Sequence, residues 1–158
     1  MGWDNLVASG LVVVLTGLLL AAGIEDVRHR EIANWKNAAI ALLAPVWWLA
    51  NDLLPFPDMA MQIALGVATL ALFYGAFALG WMGGGDVKLI AALALWLPVG
   101  SFMTMLIVMS IAGGAVTLLL LIERALRRTS TAIEVPYGVA IVFAALLALR
   151  EPIFNQFL

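Results

Sequence analysis

The sequence predicts an all-α membrane protein, a single polytopic bundle of about six transmembrane helices. Hydrophobic residues make up 65% of the 158 residues, only 11% are charged, and the mean hydropathy is +1.08. A soluble domain usually carries about 25% charged residues, because its surface has to be hydrated. Here the charges are clustered between long apolar runs. Helices are the expected spanning structure, because a helix pairs its own backbone groups within lipid.

Six apolar runs follow one another along the chain, at residues 6–24, 35–54, 59–82, 86–97, 101–122 and 136–149. A transmembrane helix needs about 20 such residues to cross a hydrocarbon core of ~30 Å, so the fourth and sixth runs are short for a full span. No linker, repeat or change of composition divides the chain. We therefore predict one integral-membrane domain over residues 1–158, with no separate soluble domain.

The basic residues predict the orientation of the bundle. Seven of the eight follow an odd-numbered run, namely Arg28, Arg30, Lys36, Lys88, Arg124, Arg127 and Arg128. Because cytoplasmic connections are enriched in Lys and Arg, these connections are predicted to be cytoplasmic and both termini to lie outside. Tryptophans close to the ends of the runs are predicted to anchor the bundle at the membrane interfaces; these are Trp47, Trp48, Trp81 and Trp96.

Composition also limits the classes of function. The chain has no cysteine, which excludes disulfides and cysteine-ligated zinc. Its net charge of −2 provides no basic face for nucleic acid, and no nucleic-acid partner is expected. The expected surroundings are the lipid bilayer.

Asp86 is the first candidate for chemistry, because it follows three consecutive glycines, Gly83–Gly85, and begins a new apolar run. Glycine permits positive φ angles and a close approach of the backbone, at a cost in helix stability. The triple glycine therefore predicts a bent backbone that presents the Asp86 carboxylate. A simpler interpretation makes Asp86 only the N-cap of the fourth helix, a position that Asp favours.

Asp26 is the expected partner of Asp86, since the predicted topology places both at the same membrane depth on the same side. Two adjacent carboxylates share a proton, so that one can deprotonate water while the other polarises a carbonyl group. This chemistry needs no cofactor and no metal. Alternatively, Asp26 is an interfacial charge paired with Arg28 or Arg30. Glu25 points about 100° away on a helix and is not expected to replace Asp26.

Three motifs carry a resemblance to a known family. Gly83-Gly84-Gly85-Asp86, followed by Val87-Lys88-Leu89, fits the G-x-G-D signature of intramembrane aspartyl proteases in its prepilin peptidase version. The segment 26–34 resembles D-x-R-x-x-x-I-x-N, with Ala33 where that family often has proline, and the segment 135–140 resembles its P-[YF]-G segment. In this order, the motifs resemble the type IV prepilin peptidase family, in the short form that serves tight-adherence (Flp-type) pili.

The resemblance implies an aspartic endopeptidase of the bacterial inner membrane, with its active site facing the cytoplasm. Its substrate would be a prepilin, made of a short basic leader peptide and an N-terminal hydrophobic helix. Asp26 and Asp86 would be catalytic, supported by Gly83, Gly85, Lys88, Arg28 and Asn34. Longer members add a segment with paired C-x-x-C motifs and also N-methylate pilin. Because this chain has no cysteine, we expect no methyltransferase domain or activity. The oligomeric state, including a dimer, stays open.

Two other functions compete with this prediction. A small proton-coupled transporter could use Asp26 and Asp86 as a proton relay. It would be expected to show an inverted repeat and charges near the midplane, whereas these acids lie at the ends of runs. A non-catalytic membrane subunit of a secretion system would tolerate Asp→Asn at both positions.

Overall fold

The computed structural model describes residues 3–127 and 137–155. This part of the chain forms six α-helices and no strand: α1 Trp3–His29, α2 Asn34–Ala50, α3 Ala60–Ala78, α4 Gly84–Ala94, α5 Val99–Arg127 and α6 Tyr137–Asn155. The predicted all-α membrane bundle is confirmed. Arg128, Val135 and Pro136, which entered the sequence predictions, lie outside the described residues.

The helices differ in whether they are long enough to cross a membrane. Three stretches of the described residues are sufficiently long and apolar, Leu6–His29, Pro55–Ala78 and Val99–Leu126. The second of these includes the segment Pro55–Met59, where Phe56 has extended backbone angles before α3 begins. The 11-residue α4 spans only about 16 Å at 1.5 Å per residue, which is roughly half of a hydrocarbon core. The predicted shortness of the fourth run is therefore confirmed.

Large apolar side chains cover the outer faces of the bundle. Leu42, Leu72 and Val13 are 75%, 73% and 71% exposed, respectively. Such an extensive apolar surface is unfavourable in water, whereas it matches the hydrocarbon interior of a bilayer. The outer surface therefore agrees with the membrane location that composition predicts.

The short helix α4 lies at the centre of the bundle. Eight of its eleven residues are buried, and it packs against α2, α3, α5 and α6. Its sequence explains this position, because Val87 and the run 89–94 make it apolar almost all the way round, and such a helix is stable only when surrounded. The position of α4 fixes the first turn of the helix, which carries Asp86, between its neighbours.

Two buried tryptophans bind backbone carbonyls around the C-terminal end of α4. Trp48 donates its indole N–H to Leu95 O at 2.7 Å, and Trp96 donates to Ile40 O at 2.8 Å. The two side chains are only 6% and 3% exposed. The predicted role as interfacial anchors is therefore wrong for Trp48 and Trp96. The Trp48 indole satisfies a carbonyl at the C-terminal end of α4, and the Trp96 indole binds a carbonyl of α2 inside the bundle. Trp81, in contrast, is largely exposed.

Candidate active site

Asp26 and Asp86 line one cavity of about 430 Å³. Asp26 lies in the last turn of α1 and Asp86 in the first turn of α4. Their side chains are nearly buried, with 4% and 9% exposed, and the charge of Asp26 acts on Asp86. The structure thus brings together the two carboxylates that the sequence analysis paired.

The Asp26 carboxylate is held by the N-terminus of α6. Its Oδ2 accepts a hydrogen bond from Val139 N at 3.2 Å, and the backbone N–H of Gly138 donates to the same carboxylate. These N–H groups belong to the first turn of a helix, where no intrahelical carbonyl satisfies them and where the helix dipole favours a negative group. Asp26 therefore joins α1 to α6 by its side chain.

The Asp86 carboxylate interacts with the N-terminus of its own helix. Gly83 is the N-cap residue of α4, and its backbone N–H donates to the carboxylate of Asp86, the third residue of the helix. This contact resembles one half of a capping box, in which the third residue reaches back to the N-cap. Asp86 is thus not the N-cap that the simpler interpretation expected. Each carboxylate therefore lies at the positive end of a helix, that of Asp26 at α6 and that of Asp86 at α4.

The triple glycine does not adopt the positive φ angles that glycine would permit in a bent backbone. Gly83 has an extended conformation (φ −69°, ψ 144°), and Gly84 and Gly85 already belong to α4. Among the described glycines, only Gly80 has positive φ, at 73°. What Gly85 provides is space, because a Cβ there would lie 3.1 Å from both Cβ and O of Ile32.

The loop before α2 packs directly against the first turn of α4. Asn37 Nδ2 donates to Gly85 O at 3.0 Å, across 48 residues of sequence. Together with the contact between Ile32 and Gly85, this hydrogen bond fixes the backbone just before Asp86. Sequence reasoning missed Asn37, since one Asn at the start of an apolar run carries no signal of a distant partner.

For the leader cleavage that the resemblance in sequence implies, we expect Gly85→Ala to lower the rate by roughly tenfold or more, because a displacement of ~1 Å can cost ~100-fold in rate. The added methyl group would press on the backbone of Ile32, which cannot rotate away, and would shift Asp86. Gly84→Ala is the matched control, since the three atoms nearest to its methyl group would all belong to the half-exposed ring of Phe77, the closest at 3.2 Å. The measurement is cleavage per unit of membrane-inserted protein. Equal tolerance at both positions would contradict the spacing role of Gly85.

Arg30 makes the turn that ends α1. It lies in the left-handed region with φ 57°, and its N–H donates to Asp26 O at 2.9 Å. Arg30 also lines the aspartate cavity, and its charge acts on Asp26. Arg28 was the arginine predicted to support the catalytic pair. It is exposed on the last turn of α1 and is not among the residues that line the cavity.

Lys88 and Asn34 interact with each other at the edge of the cavity. Lys88 Nζ donates to Asn34 Oδ1 at 2.7 Å, and both residues line the cavity together with Gly83 and Gly85. Because Asn34 begins α2 and Lys88 lies in α4, this bond joins the two helices beside Asp86. Four of the five predicted supporting residues are therefore at the cavity.

A partly buried ion pair between Glu25 and Lys36 stabilises the other side of the same loop. Glu25 Oε2 accepts hydrogen bonds from Lys36 Nζ at 2.8 Å and from Ala33 N at 2.9 Å, and Lys36 also donates to Ala21 O at 3.2 Å. The Lys36 side chain is only 9% exposed. Glu25 does point away from the cavity, but it stabilises the loop between Asp26 and α2. The sequence analysis used Lys36 only as an orientation signal.

Gly138, like Val139, belongs to the described part of the third motif and contacts Asp26. A Cβ on Gly138 would lie 2.7 Å from Cγ and 2.9 Å from Cβ of Asp26, so that only glycine fits there without displacement. The resemblance pointed to this segment without giving its physical reason. Within residues 3–127 and 137–155, no cluster of three or more His, Cys, Asp or Glu side chains is placed to bind a metal ion.

A family model described as the type IV leader peptidase family matches residues 13–118. The match covers Asp26, Asp86 and the loop between α1 and α2, and it ends before Gly138. No curated protein and no solved structure matches the chain significantly.

Proposed function

The chain belongs to the type IV leader peptidase family, and we propose that it cleaves the leader of its prepilin substrate as an aspartic endopeptidase, with Asp26 and Asp86 as the catalytic pair. Membership of this family supports a membrane protease that acts on prepilins. We propose in addition the aspartic catalytic class, the two catalytic residues and the type of pilin that is cleaved.

One observation carries the catalytic assignment: two nearly buried carboxylates line the same cavity, and each is held by backbone N–H groups at a helix N-terminus. A cavity of about 430 Å³ has room for water and part of a peptide, since a water molecule occupies ~30 Å³. Fixed carboxylates of this kind suit general acid–base catalysis, because neither has to be reoriented during the reaction.

The proposed reaction uses one ionised and one protonated aspartate. The ionised carboxylate takes a proton from water while the water oxygen bonds to the carbonyl carbon of the scissile peptide. The protonated carboxylate gives its proton to the carbonyl oxygen, and a tetrahedral intermediate forms. When the C–N bond breaks, the leaving nitrogen takes the proton that the first aspartate gained from water. One hydroxyl of the intermediate returns its proton to the second aspartate as the carbonyl group re-forms, which restores the starting protonation of the pair. The products are the leader, with a free carboxylate, and the mature chain, with a free amine.

The substrate class we propose is a Flp-type prepilin with a basic leader. The absence of cysteine supports this, because it leaves no C-x-x-C segment of the kind that longer members carry.

We further propose that the cavity faces the cytoplasm of a bacterial inner membrane. Support comes from the basic residues, since Arg30 and Lys88 line the cavity. Reporter fusions at Lys36 should behave as cytoplasmic and fusions at Asp58 as external. The opposite result would reject this orientation while leaving the family intact.

The experiment that tests the proposed function is mass spectrometry of candidate pilins produced with and without this protein. A pilin that loses a short basic N-terminal segment only when the protein is present supports the proposal. If all Flp-type candidates keep their leaders, that substrate assignment is wrong.

A further inference from the structure

A second and larger cavity forms a groove beside the aspartate cavity. It measures about 620 Å³, and α4 forms its floor while α2 and α3 form its walls. Each wall helix packs against α4, but the two do not pack closely against each other. The wall residues are Ala38, Ala41, Pro45, Ile63, Val67 and Leu70.

The groove adjoins the aspartate cavity. Asn34 and Lys88 line both and are hydrogen-bonded to each other at the boundary, so a chain that passes these two side chains leads from the aspartates into the groove. The lining changes along the groove: its polar residues Asn34, Asn37 and Lys88 lie at the aspartate end, whereas the rest is apolar except for Trp48, whose indole N–H is already bound to Leu95 O.

Asn37 lies near the start of α2, at the aspartate end of the groove. Its side chain is only 4% exposed, and the amide nitrogen is bound to Gly85 O. Its Oδ1 atom is buried and has no hydrogen-bond partner among the described residues. A buried acceptor without a donor is unfavourable and uncommon in a folded protein. Asn37 lines the groove, so a chain seated there could supply the missing N–H group once a slight opening of the lining exposes this atom.

The size of the lining residues favours a helix as the occupant. Ala38, Ala41, Gly66, Ala91 and Ala92 present little side chain, so a helix could approach the floor and walls closely. In a membrane, close approach of this kind drives helix association, since helix burial brings no hydrophobic gain over lipid. A lipid chain would fill the apolar part but would not satisfy the acceptor at the aspartate end.

We propose that this groove seats the apolar segment that follows the scissile bond of the substrate, so that the enzyme recognises this segment as well as the leader. The inference rests on the proposed function, because it requires that the bond be cut at the aspartates. The apolar segment then lies against α4 between α2 and α3, with the cleaved bond next to Asn34 and Lys88.

The test compares two synthetic substrates that share one basic leader ending in glycine. The long substrate continues with an apolar segment of ~20 residues, enough to span a membrane, and the short one ends a few residues after the glycine. The unmodified enzyme should have the higher kcat/KM for the long substrate. Ala41→Trp fills the groove and should reduce the long-to-short ratio of kcat/KM by about tenfold or more. Leu42→Trp is the matched control, since the neighbouring Leu42 is 75% exposed on the outer surface, and its ratio should stay unchanged.

The outcomes separate the two proposals. If the unmodified enzyme cleaves neither substrate, the proposed function fails. The groove proposal is overturned if the unmodified enzyme cleaves both substrates and Ala41→Trp keeps the long-to-short ratio of kcat/KM unchanged. It is also overturned if Ala41→Trp and Leu42→Trp reduce this ratio equally. If Ala41→Trp does not reach the membrane, Val67→Trp on the opposite wall replaces it, with Ala68→Trp at the exposed neighbouring residue as its control. Val67→Trp should then reduce the long-to-short ratio of kcat/KM, and Ala68→Trp should leave it unchanged.

Photo-cross-linking identifies the occupant. A photoreactive residue at position 41, in vesicles of phosphatidylethanolamine and phosphatidylglycerol, should form an adduct with the apolar segment of the long substrate. The same residue at position 42 should form adducts with lipid. Lipid adducts alone at position 41, in the presence of substrate that is being cleaved, would overturn the proposal.

Discussion

Asp26→Asn and Asp86→Asn are each expected to abolish leader cleavage while the protein stays folded in the membrane. Asparagine has nearly the same shape, and its amide oxygen can still accept the hydrogen bonds from Val139 N and from the N–H of Gly83. It cannot take a proton from water or give one to a carbonyl group. A general acid or base contributes ~10²–10⁴-fold, so we expect cleavage to fall by roughly 10³-fold or more in either variant. The measurement is the fraction of pilin processed at matched membrane levels of enzyme.

Asp58→Asn provides the matched control, because it makes the same change in an exposed residue that does not line the aspartate cavity. Asp58 accepts a hydrogen bond from Leu54 N, which asparagine can preserve. Its cleavage should equal that of the unmodified protein. Normal processing in either variant of the pair would remove the two-carboxylate mechanism. Normal processing in both is the result that a non-catalytic assembly subunit predicts.

The class of fold and the pair of aspartates could be predicted because each depends on short-range information. Hydropathy distinguishes a lipid-facing chain from a soluble one by composition alone, and the order of the runs places Asp26 and Asp86 on one side. The motif around Asp86 is contiguous in sequence. Each of these signals can be recognised in the sequence without knowing which helices contact each other.

The contacts that hold the site could not be predicted, since they join distant residues. The bond from Asn37 to Gly85 spans 48 residues, and that from Val139 to Asp26 spans 113. Hydropathy also cannot separate a tryptophan at an interface from one buried against helix carbonyls, which is why Trp48 and Trp96 were misassigned. The glycines at 83–85 were attributed to backbone conformation, whereas Gly85 is required by the proximity of Ile32.

Gly138→Ala is expected to lower the rate of leader cleavage by roughly 100-fold or more. An effect of this size results when a reacting group is displaced by ~1 Å. The new methyl group would lie 2.7 Å from Cγ of Asp26 and 2.9 Å from its Cβ. Rotation of the Asp26 side chain cannot relieve the overlap, because the Cβ atom stays in place when the carboxylate turns. Either α1 or the N-terminus of α6 must move, and the hydrogen bonds from Gly138 and Val139 to the carboxylate are then disturbed.

Gly114→Ala is the control for this prediction, since a Cβ there would have no other atom within 4 Å. Overpacking in a tight contact typically costs ~1–3 kcal/mol, so both variants should still insert in the membrane, with Gly138→Ala somewhat less stable to heat in detergent. The decisive comparison is cleavage per folded molecule. If Gly138→Ala cleaves as well as Gly114→Ala, the N-terminus of α6 does not hold Asp26 in its active position. If it loses cleavage while retaining its fold, the third motif acts by leaving room for the carboxylate of Asp26 against a helix N-terminus.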